Sequence, residues 1–354
     1  LQKLSIQMFS KSEIYVSYGI LFILIAASLV LGISIGSVSI PLFHVVQILG
    51  AEIFNYPLRA PINASTVSII MQIRLPRVLL AMLVGFALSL AGAAFQGLLK
   101  NPLADPYTLG VSSGSSLGAV IVLFFGVQLP GLGHFTLPVV SIAAGFFTLV
   151  GVISFARLVQ RNLSVETIIL AGILCSSFLG SLISLLIALS GEELRQIIGW
   201  LLGSVSMRGW SYVSLITPFL AAGLLMLLGS ARELNAMSFS QSDAKNIGVD
   251  VKKHTTIVLI GASFVTGSAV AVSGTIGFVG LVIPHIGRML WGVDHRHLLP
   301  LSMLLGGVFL VLVDLLARTI IAPTELPIGV LTAIIGSPVF AIIFIQHRRR
   351  RMTA

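Results

Sequence analysis

The chain has 354 residues, 56% of them hydrophobic and only 9% charged, against about 25% charged in an ordinary soluble domain. That balance excludes a disordered chain, which needs low hydrophobicity, and a soluble nucleic-acid binder built on a basic face. A single cysteine, Cys175, excludes a disulfide framework and a multi-cysteine metal site.

Runs free of Asp, Glu, Lys and Arg occupy 14–51, 78–99, 106–156, 167–191, 209–231, 254–287, 297–313 and 326–347. A membrane-crossing helix needs about 20 apolar residues, so most runs hold one span and the longest hold two. The 106–156 run is divided by Pro130, Gly131, Gly133 and Pro138, and the 254–287 run by Ser273-Gly274. The expectation is an all-α polytopic membrane protein forming one domain over 1–354, with ten helices at roughly 18–36, 76–97, 107–127, 138–158, 166–188, 210–230, 255–274, 277–291, 297–317 and 328–346. The long apolar stretch of the first span, with no clean small-residue cleavage site after it, argues against a secretory signal.

Placing the amino terminus in the cytoplasm puts 15 of the 21 basic residues on the inner side, including the run Arg348 to Arg351. That excess predicts that both termini are cytoplasmic. The six outer basic residues, Arg59, Arg74, Arg77, Arg195, Arg208 and Arg318, are all arginine. A guanidinium fork binds carboxylates bidentately, so this bias suits a docking surface. It also suits arginines that snorkel at span ends. Asp314 stands one helical turn before Arg318 and reads as its structural ion-pair partner.

Within the third span Gly110, Gly114 and Gly118 recur every four residues among serines, the spacing at which small residues let helices approach closely. Residues 232–254 form a polar excursion with interleaved apolar positions. Ser240 is placed to cap a short helix through Ala244 and Asn246, and Gly248 to end it. A segment of this kind more often docks a partner than merely connects two spans.

Phosphate-loop and zinc-protease motifs are missing. The chain has no G-x-x-x-x-G-K-[ST] loop and no H-E-x-x-H, so any ATP is used elsewhere. Asp294, His295 and His297 are close enough in sequence to raise a metal site, but a solvated loop is the preferred reading, and no metal is assigned. A gradient-driven secondary transporter would place ionisable groups mid-membrane; the clearest candidate is Asp314.

Several segments together resemble the FecCD-type permeases, the membrane subunits of importers for iron–siderophore complexes, haem and vitamin B12. They are Ile73 to Arg77 (IRLPR), Gly97 to Pro106 (GLLKNPLADP), Leu109 to Gly118 (LGVSSGSSLG), Ser240 to Val249 (SQSDAKNIGV), Gly274 to His285 (GTIGFVGLVIPH), Asp314 to Arg318 (DLLAR) and Glu325 to Gly329 (ELPIG). The resemblance runs from about residue 70 onward. It implies a permease in a bacterial or archaeal cytoplasmic membrane that pairs with a second copy of itself or a paralogue. Two ATP-binding cassette subunits would hydrolyse ATP, and an extracytoplasmic binding protein would deliver substrate. Neither a cofactor on this chain nor a nucleic-acid partner is implied. The ATPase-coupling element maps onto Leu234, Ser240, Asp243, Ala244, Asn246 and Gly248, the docking arginines onto Arg74, Arg77 and Arg318, and a cytoplasmic gate onto Ser164, Val165 and Glu166. At the gate the sequence departs from the small hydroxyl residues expected of vitamin B12 members.

Overall fold

The computed structural model describes residues 11–36, 40–56, 62–160, 165–239 and 241–352, and no strand occurs among them. The helices in chain order are α1 (Lys11–Ser34), α2 (Leu42–Phe54), α3 (Ala64–Ser68) continuing through a π-turn into α4 (Leu75–Leu98), α5 (Val111–Phe125), α6 (Thr136–Val159), α7 (Val165–Leu189) and α8 (Leu194–Leu201). They continue as α9 (Gly209–Gly229), α10 (Ala231–Phe239), α11 (Gln241–Asn246), α12 (Val251–Ser273), α13 (Val279–Trp291), α14 (His295–Ala317) and α15 (Ile328–Met352).

Seven stretches among the described residues are long and apolar enough to cross a membrane: Ser12–Ser34, Ala64–Leu98, Gly133–Val159, Glu166–Leu189, Gly209–Gly229, Val251–Ser273 and His295–Ala317. The protein is therefore membrane-spanning and all-α over those residues. Helices also stand where the other three spans were expected, but α5, α13 and the apolar part of α15, Ile328–Ile342, are shorter. At 1.5 Å per residue, α5 is about 22 Å long and α13 about 20 Å, less than a hydrocarbon core of about 30 Å.

Local chemistry accounts for the shortening. The Asp105 side chain caps a 3-10 turn, Pro106–Leu109, by accepting from Tyr107 N at 2.9 Å, and Gly110 then takes φ +79°. Only a residue without Cβ adopts that conformation freely, so α5 starts at Val111 and not at 107. Between α12 and α13 the chain passes through Gly274 at φ 71° and Phe278 at φ 67°. The intervening Ile276 is held at both backbone groups by Tyr107: the phenol donates to Ile276 O and accepts from Ile276 N, each at 2.9 Å.

Helix α2 was not expected. It is 13 residues long, buries Val45 and Ile48, and leaves Phe43, Val46, Ile53 and Phe54 exposed.

The core is built on α4, α12 and α14. Every residue of α4 from Ala87 to Leu98 is buried, so the helix is covered all round, as a central helix must be. Helices α4 and α14 run antiparallel and touch along their length. At one end Arg77 bonds Asp314. Near the middle a Cβ on Gly85 would fall on the Gly306 carbonyl, so the two backbones are in contact. At the other end a Cβ on Gly97 would fall on His295 Nε2. Helix α1 lies parallel to α14, its Tyr18 ring edge-on to His297 at 6.3 Å between centroids and its last turn near Arg318. These contacts define an Arg77 end of the bundle and, where His295 meets Asn235 of α10, an Asn235 end.

Candidate functional site

At the Arg77 end the chain gathers four of its six predicted outer arginines. The π-turn Ile69–Arg74 feeds into α4 and sets Arg74 and Arg77 on one side of it; such turns recur at functional sites. Arg74 is 5% exposed, and its Nη1 donates to Ile33 O at 2.7 Å and Ser34 O at 2.9 Å, the last carbonyls of α1. Arg318, 8% exposed, donates through Nη2 to Gly32 O in the same turn. Both cations thus complete the carbonyl-rich terminus of α1, where positive charge is favoured.

Arg77 is the hub of the carboxylates. Its Nε donates to both Asp314 oxygens at 3.0 and 3.2 Å, its Nη2 to Asp314 Oδ1 at 2.9 Å, and its Nη1 to Glu325 Oε1 at 2.7 Å. Arg318 Nε lies 3.6 Å from Asp314 Oδ2. The ion pair read between neighbours in sequence is thus real but secondary; the closer partner of Asp314 comes from α4. Partial burial pushes the Glu325 carboxyl up, but the Arg77 bond and charge outweigh it and hold the group below the usual range.

Arg208 completes the group. It follows Met207, which has φ +57° and is 93% exposed, and its guanidinium lies 5.2 Å from the Tyr212 ring centre. A cleft of about 370 Å³ opens between these residues, lined by all four arginines together with Ser206 and Glu325. Sequence reading counted Arg208 among the outer arginines but gave it no role, since no motif surrounds it.

At the Asn235 end the polar segment 232–254 folds against the bundle. Leu234, Met237 and Ala244 are buried, so two of the six expected coupling residues, Leu234 and Ala244, face inward and anchor the segment. Asp243, Asn246 and Gly248 are exposed, as is Ile247, while Ser240 lies outside the described residues. Gly248 takes φ +90° after α11, which ends where the sequence placed its stop.

The anchor includes a residue that sequence reading passed over. Asn235 Nδ2 donates to Asp294 Oδ1 at 2.7 Å, and Asn235 Oδ1 accepts from His295 N at 2.8 Å and lies 2.7 Å from His295 Nδ1. Asp294 also caps α14 through Arg296 N and takes the Arg296 fork. That fork, opposed by burial and aided by Asn235, holds the Asp294 carboxyl well below the usual range. The two histidines of this loop are therefore structural neighbours: His295 joins α10 to α14, and His297 packs on Tyr18. Among the described residues no group of three or more His, Cys, Asp or Glu is placed to hold a metal.

Of the expected gate, Glu166 is exposed on the first turn of α7, Val165 begins that helix, and Ser164 lies outside the described residues. Of the three packing glycines, Gly114 and Gly118 face α6, where a Cβ would meet Thr148 and Ala144. Gly110 belongs instead to the turn before α5.

The model of the FecCD transport family matches residues 22–346. This chain is a FecCD-family ABC-importer permease subunit. It is 59% identical over 338 residues to the permease protein YvrB of Bacillus subtilis (strain 168), itself described as uncharacterized, covering 95% of this chain and 96% of that protein. It is 38% identical over 336 residues to the molybdate import system permease protein MolB of Haemophilus influenzae, covering 94% and 95%. A solved structure titled an inward-facing conformation of a putative metal-chelate type ABC transporter superimposes with TM-score 0.81 at 33% identity, covering 94% of this FecCD chain and 99% of the other. The FecCD membership makes the chain a multi-pass, membrane-embedded permease. The segments quoted as FecCD-like run through both ends of the bundle, including Arg77, Asp314 and Glu325 at one and Gly97 at the other.

Proposed function

We propose that this permease forms the translocation pathway of a binding-protein-dependent importer that carries an iron chelate, a siderophore complex or haem, inward across the cytoplasmic membrane. The observation that carries the reading is the family match over 22–346. Relatives at 39% and 38% identity are named for hemin and Fe(3+) dicitrate transport, which supports iron-chelate cargo. Relatives at 38% and 37% are named for cobalamin and vitamin B12, so a corrinoid importer is the second reading.

In this reading ten spans place both termini in the cytoplasm, the Asn235 end faces the cytoplasm, and a second permease copy completes the pathway. Two ATPase subunits hydrolyse ATP, and each meets the exposed surface of α11, with Asp243, Asn246, Ile247 and Gly248 outward and Leu234 and Ala244 holding the segment in place. The gate lies near Ser164, Val165 and Glu166. A delivery protein docks at the Arg77 end. There Arg74, Arg77 and Arg318 supply a positive field and build the mouth, and such complementarity raises association rates and is screened by salt.

The test is uptake into proteoliposomes that hold the permease, its ATPase and its delivery protein. ATP-dependent accumulation of an iron–siderophore complex or haem is expected, and none when the ATPase is omitted. Accumulation of cobalamin alone would select the corrinoid reading. Uptake driven by an ion gradient without the ATPase would overturn both.

A further inference from the structure

At the Arg77 end, helix α2 turns an apolar face away from the bundle. With successive residues about 100° apart, Leu42, Ile53, Val46, Gly50, Phe43 and Phe54 share one arc of about 120°. No polar side chain falls within it; His44, Gln47 and Glu52 lie on the rest of the circumference. Gly50 apart, the residues of the arc are each at least half exposed, whereas Val45 and Ile48, on the opposite side, are buried. Tyr56 folds back so that its hydroxyl meets Gly50. An exposed apolar face this continuous marks an interaction surface and is not an ordinary scatter of apolar residues.

The position of α2 decides what covers that face. The apolar stretch Ser12–Ser34 of α1 has 23 residues, about 34 Å, which already exceeds a hydrocarbon core of about 30 Å. By Ser34 the chain has therefore crossed the membrane. Arg74, bonded to Ser34 O, lies level with that point, and the helical residues Ala64 to Ile73 stand farther out. Helix α2 joins these two boundary positions and, at about 20 Å, is too short to cross. No charged residue occurs from 14 to 51, and the exposed Leu31 and Ile35 lead into Leu42 and Phe43. The lipid-facing surface of α1 thus carries on into α2. We propose that α2 is an interfacial helix, its apolar arc seated in lipid at the boundary between headgroups and acyl chains, about 5–10 Å deep. Two hydrogen bonds fix its joint with α1: Ile40 N donates to Ser34 O at 3.1 Å, and Ser34 Oγ donates to Ile40 O at 2.5 Å. Because Ser34 O also accepts from Arg74, the helix ties the mouth of the cleft to the bilayer surface. This placement holds whichever end is cytoplasmic and whatever the cargo.

The full-length permease carrying Cys175→Ala is reconstituted in phosphatidylethanolamine–phosphatidylglycerol vesicles and spin-labelled at single cysteines. Phe43→Cys, Val46→Cys and Ile53→Cys lie on the arc, Glu52→Cys lies off it, and Ile247→Cys reports an exposed polar segment. All of these side chains are exposed, so the labels leave the core packing intact. Electron paramagnetic resonance reads collisions of each label with oxygen, which concentrates among acyl chains, and with a water-soluble nickel chelate. The ratio of oxygen to nickel collisions should be severalfold higher at the arc positions than at Ile247, and lower at Glu52 than on the arc. Labels of known depth in the same vesicles should place the arc about 5–10 Å below the phosphates. Nickel access on the arc equal to that at Ile247 would put the face in water and overturn the proposal. Protection of the arc from both reagents would put it against another protein chain, a second copy of the permease included, and would overturn it equally.

Discussion

Gly97 and His295 share one small volume at the Asn235 end: the ring nitrogen Nε2 sits where a Cβ on residue 97 would be, and no larger residue fits there unless the histidine leaves. His295 is held from behind by Asn235. The glycine thus joins the end of α4 to the start of α14 and, through Asn235, to the segment proposed to meet the ATPase. Gly97→Val should lower stability by about 1–3 kcal/mol through overpacking. Adding His295→Ala should return part of the loss, because the two changes share one volume. Thermal unfolding of the two single variants and the double variant in detergent checks this; additive losses would rule the shared volume out.

At the opposite end Arg77 and Asp314 form a buried bidentate pair, with side-chain exposures of 12% and 1%. Removing one partner of such a pair leaves a buried charge and costs about 3–5 kcal/mol. Arg77→Gln and Asp314→Asn should each be strongly destabilising, and the double variant less so than either. Expression level and Tm of the three variants measure the coupling. A double variant as weak as the sum of the two singles would mean that the pair does not act as a unit.

The Asn235 latch should respond to acid with a definite sign. The Asp294 carboxyl lies below its ordinary value because of the Arg296 fork. Its contribution is therefore fully present above the unfolded value of about 3.9 and is lost as pH falls toward the lower folded value. Wild type should exceed Asp294→Asn in stability at pH 7, and the gap should close steadily below about pH 5. Tm values of both proteins from pH 7 down to pH 3 test the trend, and a gap that widens in acid would contradict it.

Orientation is testable at two exposed positions. After Cys175 is replaced, a cysteine at Ile247, which is 72% exposed, should be labelled only from the cytoplasmic side. A cysteine at Glu192, between α7 and α8, should be labelled from outside. The motive is the placement of 15 of 21 basic residues on the inner side. Labelling of both from the reverse sides would invert the topology.

The all-α membrane class and the places of the seven long apolar helices were legible in the residues alone, because each depends on neighbours along the chain. Uncharged runs locate the helices, and Gly248 marks the end of α11 by its need for a positive φ. The helices at 111–125 and 279–291 came out shorter than read, since Asp105 and Tyr107 draw the chain into turns that a hydropathy run does not register. Partners distant in sequence were settled only by the tertiary structure. Asp314 had an obvious neighbour in Arg318, yet its closer bonds come from Arg77, 237 residues away. Within the segment read as the coupling element, packing alone decides that Leu234 and Ala244 face inward, and Asn235 looked like one polar residue among many. Helical spacing tells which residues share a face but not which face another helix covers. That choice is made by close packing of small residues, as where Gly85 admits the Gly306 backbone, and by the need to neutralise charge away from water.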